Sequence, residues 1–400
     1  MKTTKMWTFV LCLASAFGVS SALAQTDPIR IGLPVPLTGP YGAEAKDQVR
    51  NAELAVKEFN EAGGLNGRLA ELLVRDDKLN PGEAANRALD LIDKDKVNFI
   101  VGGLSASTQL STNNVTKQRK VIYISISQSD AINEAADMSR YTFHEALNPH
   151  MTTQAVGRHV FKKGMRIAFL TSDYAYGHEM ARGFTRVAEE VGAEIVGEIR
   201  HPLGTSDYSV FLPRLAAMRP DVLVFNNFGR DNHVSIQQAG QFGLKDKMQF
   251  VTPVLLYTAR QAAGAEAYEG VLGASSYYWE LQSQFDTAKN LNDMYKKEYD
   301  GYPSDYGALA YGAVKSLLMA VKEAGTTDTE KVVDALESLK YDTYKGPEYY
   351  RKCDHQAVQS VLIIESKKAP ADNPDDIFRI VDVVAPTEDI LRSCEELGFK

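Results

Sequence analysis

Two short apolar runs constrain the fold of this chain most strongly. The first covers residues 97–101 and stops at Gly102 and Gly103, and the second covers residues 121–126. Nearly continuous apolar runs of this length are typical of strands that are buried on both faces of a parallel sheet. We therefore expect an α/β fold in which these two strands lie side by side.

Hydroxyl side chains follow both runs where the predicted strands end. Ser105, Ser107 and Thr108 come after the first run, and Ser127 and Ser129 come after the second. The first turn of a helix has backbone N–H groups without helical partners, and these bind anions. Ligands of open α/β sheets bind beyond the carboxyl ends of the strands. The pattern predicts a binding site for an anionic group, and simple helix capping is the alternative interpretation.

The amino terminus has the pattern of a secretory signal peptide. Lys2 and Lys5 precede an apolar run over residues 6–19, and small residues lead up to Ala24. We expect cleavage after Ala24, export to a bacterial periplasm and a soluble product. No other run has the roughly 18 apolar residues that a membrane-spanning helix needs.

Charge, length and cysteine content narrow the class of protein. The formal charge of −8 becomes −10 when the two signal-peptide lysines are removed, which argues against nucleic acid as a partner. The remaining residues, about 376, predict two lobes with a core each. Cys353 and Cys394 remain, and in an oxidising compartment we expect them to form a disulfide.

The sequence gives little support for a serine hydrolase site, a metal site, or a site for a nucleotide or other cofactor. The segment from Gly103 to Ser107 resembles a nucleophile elbow around Ser105 but lacks its final glycine, so a secreted serine hydrolase remains only a distant alternative. The seven histidines show no metal-ligand spacing, and no nucleotide-binding motif or other cofactor signature occurs.

Strands and helices alternate along the chain, and the pattern restarts near residues 147–149. Single aromatic residues follow predicted strands at Tyr41, Tyr176 and Phe228, and a further group ends at Trp279. Aromatic side chains can form the apolar walls of a ligand pocket, although core packing is the competing interpretation.

Several segments together resemble one known family. They are IRIGLPVPLTGPYG, NAELAVKEFNEAGGLNGR, VGGLSAST, TSDYAYGHEMARGF and GYPSDYGALAYGAVKSL. In this order they resemble the leucine/isoleucine/valine-binding family of type I periplasmic binding proteins, the solute receptors of ABC importers. The resemblance implies a two-lobed α/β fold, in which each lobe is a parallel sheet flanked by helices and three crossover segments join the lobes. It also implies a non-enzymatic monomer that works with membrane permease subunits.

The resemblance places the lobe boundaries and the moving parts. The first lobe is expected over residues 25–147 and about 276–352, and the second over 148–275 and about 353–400. Closure on a ligand is expected to bend segments near Leu147, Ser275 and Cys353.

The resemblance also assigns ligand contacts. Carried over from the family, Ser107, Ser127 and Ser129 hold the ligand carboxylate, and Tyr176 closes over the ligand from the second lobe. Phe228 and Tyr306 fall near further pocket positions of the family. Apart from the resemblance, Tyr41, Asn148 and Trp279 are also expected to contact the ligand.

Two positions depart from the amino-acid binders of this family. Glu44 replaces an aromatic residue, and Val254 replaces the glutamate that pairs with the ligand's α-ammonium. The stretches TSDYAYGH, RHPLGTSDYSVFL and SSYYWEL look closer to the branch that binds aromatic or other organic acids. The sequence therefore favours a carboxylate without an amino group, provided that Glu44 does not face the cleft. A branched-chain or other amino acid is the alternative ligand.

Overall fold

A parallel five-stranded sheet forms the first half of the molecule. The computed structural model describes residues 27–399, so the expected signal peptide lies outside the described residues. The strand order of this first sheet is β2-β1-β3-β4-β5, with every pair parallel. The strands are Ile29–Val35 (β1), Ala70–Asp76 (β2), Phe99–Gly102 (β3), Ile122–Ser125 (β4) and Thr142–His144 (β5).

The two apolar runs are neighbouring strands, as predicted. Gly102 at the end of β3 pairs with Ser125 at the end of β4. Gly102 has a φ of 127°, and a Cβ there would lie 2.5 Å from Leu33 Cδ1. Only glycine fits this turn without strain, because both the positive φ and the close contact disfavour a side chain. The hydroxyl residues after the two strands therefore reach one edge of the sheet.

A second, seven-stranded sheet has the order β15-β14-β10-β9-β8-β6-β7. Its strands from β6 to β10 pair in parallel, whereas β14 and β15 add an antiparallel edge. A small antiparallel ribbon, β11-β12-β13, lies between β10 and β14 in sequence. These strands are Arg166–Ser172 (β6), Glu194–His201 (β7), Val222–Asn226 (β8), Gln249–Val254 (β9), Leu272–Ser275 (β10), Tyr341–Thr343 (β11), Gly346–Tyr350 (β12), Ala357–Val358 (β13), Val361–Ser366 (β14) and Phe378–Val384 (β15).

Helices pack against both sheets, which confirms the predicted α/β class. Helices α1, α2, α3 and α11 contact the first sheet, and α4, α5 and α7 contact the second. The helices are Gly42–Glu61 (α1), Pro81–Leu89 (α2), Ala106–Arg119 (α3), Pro149–Val160 (α4), Ala175–Val191 (α5), Leu212–Ala217 (α6), Gly229–Gln241 (α7), Tyr257–Ala263 (α8), Ala265–Tyr268 (α9), Asp286–Glu298 (α10), Asp305–Ala324 (α11) and Thr329–Ser338 (α12). Over residues 27–399, none of them has the length and apolar character needed to cross a bilayer.

Two of the segments that connect the sheets run side by side. Gln356 Nε2 donates to the carbonyls of His144, at 3.2 Å, and Ala146, at 2.9 Å. The side chain of Gln359 donates to the carbonyl of Glu145. These bonds satisfy buried backbone acceptors where the chain leaves one sheet for the other.

The predicted disulfide between Cys353 and Cys394 is confirmed, with the Cα atoms 6.1 Å apart. It ties a connecting segment to the last part of the chain. Beyond Cys394, the carbonyl of Leu397 accepts from the backbone N–H of Ala135 at 2.9 Å. The final residues therefore return to a loop that follows β4.

Candidate functional site

Four aromatic side chains meet between the two sheets. The ring of Phe228, just before α7, has its centroid 4.8 Å from that of Tyr41, 5.0 Å from Tyr306 and 5.9 Å from Tyr176, each edge to face. All four residues are at most 3% exposed. Tyr41 and Tyr306 come from the first-sheet side, and Tyr176 and Phe228 come from the second. We call this group the aromatic cluster; it unites four of the residues expected from the sequence.

The two sides also touch through polar and backbone groups. The hydroxyls of Tyr41 and Tyr174 are 2.7 Å apart, and the backbone N–H of Arg230 donates to the carbonyl of Pro40 at 3.0 Å. Gly229 has a φ of 54°, and a Cβ there would lie 2.5 Å from Tyr41 Cδ1. A glycine at this position lets the backbone of α7 lie directly on the ring of Tyr41. The structure therefore shows the two sides in a closed arrangement.

The predicted serines lie at the carboxyl ends of β3 and β4. Ser107 is half-buried in the first turn of α3, where backbone N–H groups lack helical partners. Ser127 is buried, and its Oγ has no hydrogen-bond partner within residues 27–399. Ser129 Oγ donates to Glu179 Oε1 at 3.1 Å, which connects the first-sheet side to α5. Ser107 and Ser127 thus retain hydroxyls that can bind a ligand, whereas Ser129 contacts the opposite side.

The loop that carries Ser127 is held by side chains from behind. The carbonyl of Ser127 lies 2.6 Å from His144 Nε2 and accepts from Gln109 Nε2 at 3.1 Å. Gln109 Nε2 also donates to Ser125 Oγ at 2.7 Å. These bonds fix the backbone after β4 without using the Ser127 hydroxyl.

The side chain of Glu44, on the first-sheet side, points towards the second-sheet side. It lies in the first turn of α1, is 3% exposed, and its Oε1 accepts from Thr258 Oγ1 at 2.7 Å. Thr258 belongs to α8, which follows a strand of the second sheet. Burial raises the pKa of the Glu44 carboxyl to about 7, and the hydrogen bond from Thr258 opposes that rise. The sequence favours a carboxylate without an amino group only if Glu44 points away from the second-sheet side. Its contact with Thr258 does not meet that condition.

Asp305 and Glu179 are two acidic residues that the sequence reasoning missed. Asp305 begins α11 and is 2% exposed, and neither of its carboxyl oxygens makes a hydrogen bond within the described chain. Burial, and then the neighbouring Glu44, raise its pKa to about 8. Burial also raises the pKa of Glu179 to about 8, and Asp130 adds to that rise. The helix cap Ser304 could have placed Asp305 in a first turn, but no local pattern indicates that another part of the chain covers it.

Three expected ligand residues have other contacts. Trp279 stacks on Tyr302 with centroids 4.8 Å apart, and none of its ring contacts in the described chain is with the aromatic cluster. Asn148 caps α4 by accepting from the N–H of Met151 and donates to Gln356, so its amide is used within the protein. Val254 is buried at the end of β9 and brings no charge, as expected from its side chain.

A surface groove, Ser105 and possible metal ligands are three further features that could have marked a site. A groove of about 580 Å³ is lined by Arg182, Arg186 and Arg200, together with parts of α5 and β7, and includes none of the predicted ligand contacts. Ser105 directly precedes α3 and is buried, and its hydroxyl makes no hydrogen bond to a histidine in the described part of the chain. Within that part, no group of three or more His, Cys, Asp or Glu is arranged to hold a metal ion.

The sequence and the fold of this chain are both similar to those of known binding proteins. A family model described as "Periplasmic binding protein" matches residues 28–371. The leucine-, isoleucine-, valine-, threonine-, and alanine-binding protein of Pseudomonas aeruginosa is 25% identical over 332 residues, which cover 82% of this chain and 87% of that protein. The crystal structure of a periplasmic binding protein from Burkholderia mallei has a TM-score of 0.85 at 28% identity and covers 92% of this chain and 98% of that one. A solute binding protein of an ABC transporter from Rhodopseudomonas palustris BisB5, in complex with 3,4-dihydroxy benzoic acid, shares the fold with a TM-score of 0.80 at 23% identity, over 91% of this chain and 99% of that one.

Proposed function

The chain belongs to the periplasmic binding protein family, and we propose that it captures a small carboxylate between two lobes and delivers it to the permease of an ABC importer. In this proposal, residues 25–147 with about 276–352 form one lobe, and residues 148–275 with about 353–400 form the other. The first lobe contains the first sheet, and the second lobe contains the second sheet. The relatives that the chain resembles are named as binding proteins, which supports a binding role without catalysis.

The aromatic cluster is the observation that carries this proposal. Its four rings come from both lobes, pack on one another and are at most 3% exposed. A ligand that touches both lobes favours the closed state by its contacts with each of them. A carboxylate at the nearby end of the first sheet would be held by Ser107, the N–H groups that begin α3, and the Ser127 hydroxyl.

The ligand class is the finer part of the proposal. The relative from P. aeruginosa is named for amino acids, and one structural neighbour was solved with an aromatic acid. Both ligands carry the carboxylate that the proposed site holds. The two ligands differ in the amino group, which only the amino acid carries. Glu44, Glu179 and Asp305 are the buried acidic residues that could interact with such a group.

The first test identifies the ligand directly. Mass spectrometry of the small molecules released when the purified protein unfolds should show a carboxylic acid that rebinds to the refolded, ligand-free protein. Small-angle scattering should show a smaller radius of gyration with that ligand than without it. A ligand that lacks a carboxylate, or a radius that does not change, contradicts the proposal.

Serine-to-alanine variants on α3 test where the carboxylate of the ligand binds. Replacing Ser107 with alanine should weaken ligand binding at least about tenfold, since a hydrogen bond to a charged group contributes about 1.5–3 kcal/mol. Ser111→Ala, on the same helix and with no side-chain hydrogen bond in the described chain, is the matched control and should bind normally.

Phe228 should contribute more to binding than any single hydroxyl. Phe228→Ala removes edge-to-face contacts with Tyr41, Tyr176 and Tyr306, all of which join the two lobes or line their contact. We expect calorimetry to show about 100-fold weaker binding, or roughly 2.7 kcal/mol. Phe242→Ala, at the other end of α7 and 48% exposed, should leave the affinity unchanged. Equal affinities for the two variants would exclude the cluster from ligand binding.

A further inference from the structure

His144 lies behind the loop that carries Ser127. It is the last residue of β5 and is 1% exposed, and its Nε2 lies 2.6 Å from the carbonyl oxygen of Ser127. A carbonyl oxygen only accepts hydrogen bonds, so this ring nitrogen carries a hydrogen. Gln109 Nε2 donates to the same oxygen at 3.1 Å. The imidazole therefore donates to the backbone of the proposed carboxylate site.

The other ring nitrogen of His144 also faces an acceptor. Its Nδ1 lies 2.7 Å from Asn133 Oδ1. The amide of Asn133 is oriented by its Nδ2, which donates to the backbone carbonyl of Asp354 at 3.2 Å, so its oxygen is the atom that faces the ring. A neutral imidazole has a single N–H group, whereas an imidazolium has two. Only the imidazolium satisfies both contacts, and a neutral ring leaves one nitrogen against an acceptor with no hydrogen between them.

Burial acts against this charge. It lowers the pKa of His144 to about 4, while the bond to the Ser127 carbonyl and the charge of Asp354 oppose that decrease. The Asp354 carboxylate is paired with Arg351 at 2.6 and 2.9 Å, so little of its negative charge is left for the imidazole. The ring of His144 is thus neutral near pH 7 although both of its nitrogens face acceptors. One further negative charge nearby would favour the imidazolium.

The remaining charged groups near this ring are engaged elsewhere. The backbone N–H of His144 donates to the carbonyl of His355 at 2.9 Å, but the ring of His355 turns to Glu337 Oε1, 3.3 Å away. Glu145, the next residue in the chain, accepts from the hydroxyl of Tyr350 at 2.6 Å. The contacts of the His144 ring from α3 and from the loop after β4 are amide and backbone groups. A bound anion would therefore add a charge that these neighbours do not supply.

The front of the same loop has the donors that an anion needs. Ser127 Oγ is buried without a partner, and the backbone N–H of Gln128 makes no hydrogen bond within residues 27–399. This N–H belongs to the same peptide group as the carbonyl held by His144. A donor on the carbonyl polarises the group and strengthens its N–H as a donor in turn. A proton on His144 and a carboxylate at Ser127 thus stabilise each other through that peptide group.

We infer that His144 is a positioning residue of the carboxylate site, and that it takes up a proton from solvent when the carboxylate of the ligand binds in front of Ser127. Ligand capture is then linked to pH, and binding tightens as the solution becomes more acidic. The inference rests on the proposed function, because it takes the ends of β3 and β4 as the carboxylate site. His144 itself does not touch the ligand and acts through the peptide group between Ser127 and Gln128.

Calorimetry over a range of pH tests the linkage. Ligand-free protein, prepared by unfolding and refolding, is titrated with leucine, with its 2-oxo counterpart, with benzoate and with the acid identified by mass spectrometry. The compound that binds most tightly at pH 7 should bind about tenfold more tightly at pH 5, because the complex holds a proton that the free protein lacks. This gain is complete below the pKa of the free protein and is lost as the pH rises through the raised pKa of the complex. At pH 5.5, buffers of different ionisation enthalpy should show net uptake of protons on binding.

A glutamine variant assigns the effect to His144. His144→Gln keeps an N–H donor for the Ser127 carbonyl but cannot take up a proton, so it should bind like the parent protein at pH 7 and lose the tightening at pH 5. The buried carboxyls between the lobes are the same in both proteins, so their titration cancels in this comparison. His159→Gln, in the last turn of α4 where the ring contacts Asp382, is the matched control and should keep the full pH dependence.

Nuclear magnetic resonance of the parent protein needs no substitution. Long-range ¹H–¹⁵N spectra show which ring nitrogens of a histidine carry a proton. At pH 5.5, one histidine should have a single protonated nitrogen in the free protein and two in the complex, and its signals should be missing from His144→Gln. If none of the seven histidines gains a proton on binding, the inference is wrong, even where the variant does not fold.

The outcomes separate the two proposals. Equal pH dependence of binding in the parent protein and in His144→Gln, or binding at pH 5.5 without net proton uptake, overturns the role of His144 while the carboxylate receptor stands. If no carboxylate binds, the proposed function is wrong, and the inference is wrong with it.

Discussion

Replacing both Cys353 and Cys394 with alanine should lower the free energy of unfolding by about 4 kcal/mol. The disulfide joins residues 41 apart in sequence, and the chain-entropy model gives roughly this value for a loop of that length. The effect should be larger than that of an ordinary surface substitution, because the cross-link also ties a segment between the sheets to the final residues. Those residues bond to Ala135 on the first-sheet side.

Urea unfolding of the double variant, compared with the oxidised parent protein, measures this loss. Lys352→Ala and Glu395→Ala change exposed neighbours of the two cysteines and should each shift the free energy by less than about 0.5 kcal/mol. The parent protein reduced with a phosphine should match the double variant. An unchanged unfolding midpoint after reduction would show that the remaining contacts of the final segment hold it equally well.

The ligand-free protein should lose about 2–4 kcal/mol of stability between pH 6.5 and pH 8. Burial raises the pKa of Glu44 to about 7 and those of Glu179 and Asp305 to about 8, from ordinary values near 4. The folded state therefore binds protons that the unfolded state has already released. The stability from these protonated carboxyls is fully present below the unfolded pKa and is lost as the pH rises through the folded pKa.

We expect opening of the lobes to limit the size of this loss in stability. Three carboxyls with such pKa values would account for up to about 5 kcal/mol over this range at 1.36 kcal/mol per unit. Separation of the lobes returns the same carboxyls to water without unfolding either sheet, so we expect less. Scattering at pH 8 should accordingly show a larger radius of gyration than at pH 6.5 for the ligand-free protein.

Denaturant midpoints at several pH values, with Asp305→Asn as the test variant, check the prediction. The variant should lose about a third to a half of the pH dependence, whereas Glu61→Gln should keep all of it. Stability that stays level or rises from pH 6.5 to pH 8 would mean that these carboxyls are hydrated and ionised in the folded protein.

The sequence predicted the parts of the fold that depend on short-range patterns. The pairing of β3 with β4 follows from two apolar runs and the glycines that end one of them. Tyr41, Tyr176, Phe228 and Tyr306 stand out in the sequence as aromatic residues in turns after strands or at family positions, and in the structure their rings lie together. For these strands and aromatic residues, the sequence near each residue was enough to predict where it lies in the fold.

The parts that were missed depend on long-range burial. Asp305 and Glu179 have the sequence context of ordinary charged helix residues, and their burial depends on parts of the chain that are distant in sequence. β15 is a half-exposed edge strand, so its alternation is weak beside the buried runs. Trp279, which was offered as a ligand contact by residue type, stacks on Tyr302, and its part in ligand binding stays a prediction.

The packing of α1 against α11 has a consequence for how the protein folds. The bonds between Asp47 and Ser304 span 257 residues, and the whole second sheet apart from its antiparallel edge lies between them in sequence. Closing such a long loop costs chain entropy before any contact compensates for it. While the chain is being synthesised, the apolar face of α1 stays uncovered by α11 until the residues of α11 have been made. The first sheet therefore completes its core after most of the second, and the two halves should mature as one cooperative unit, not as independent modules.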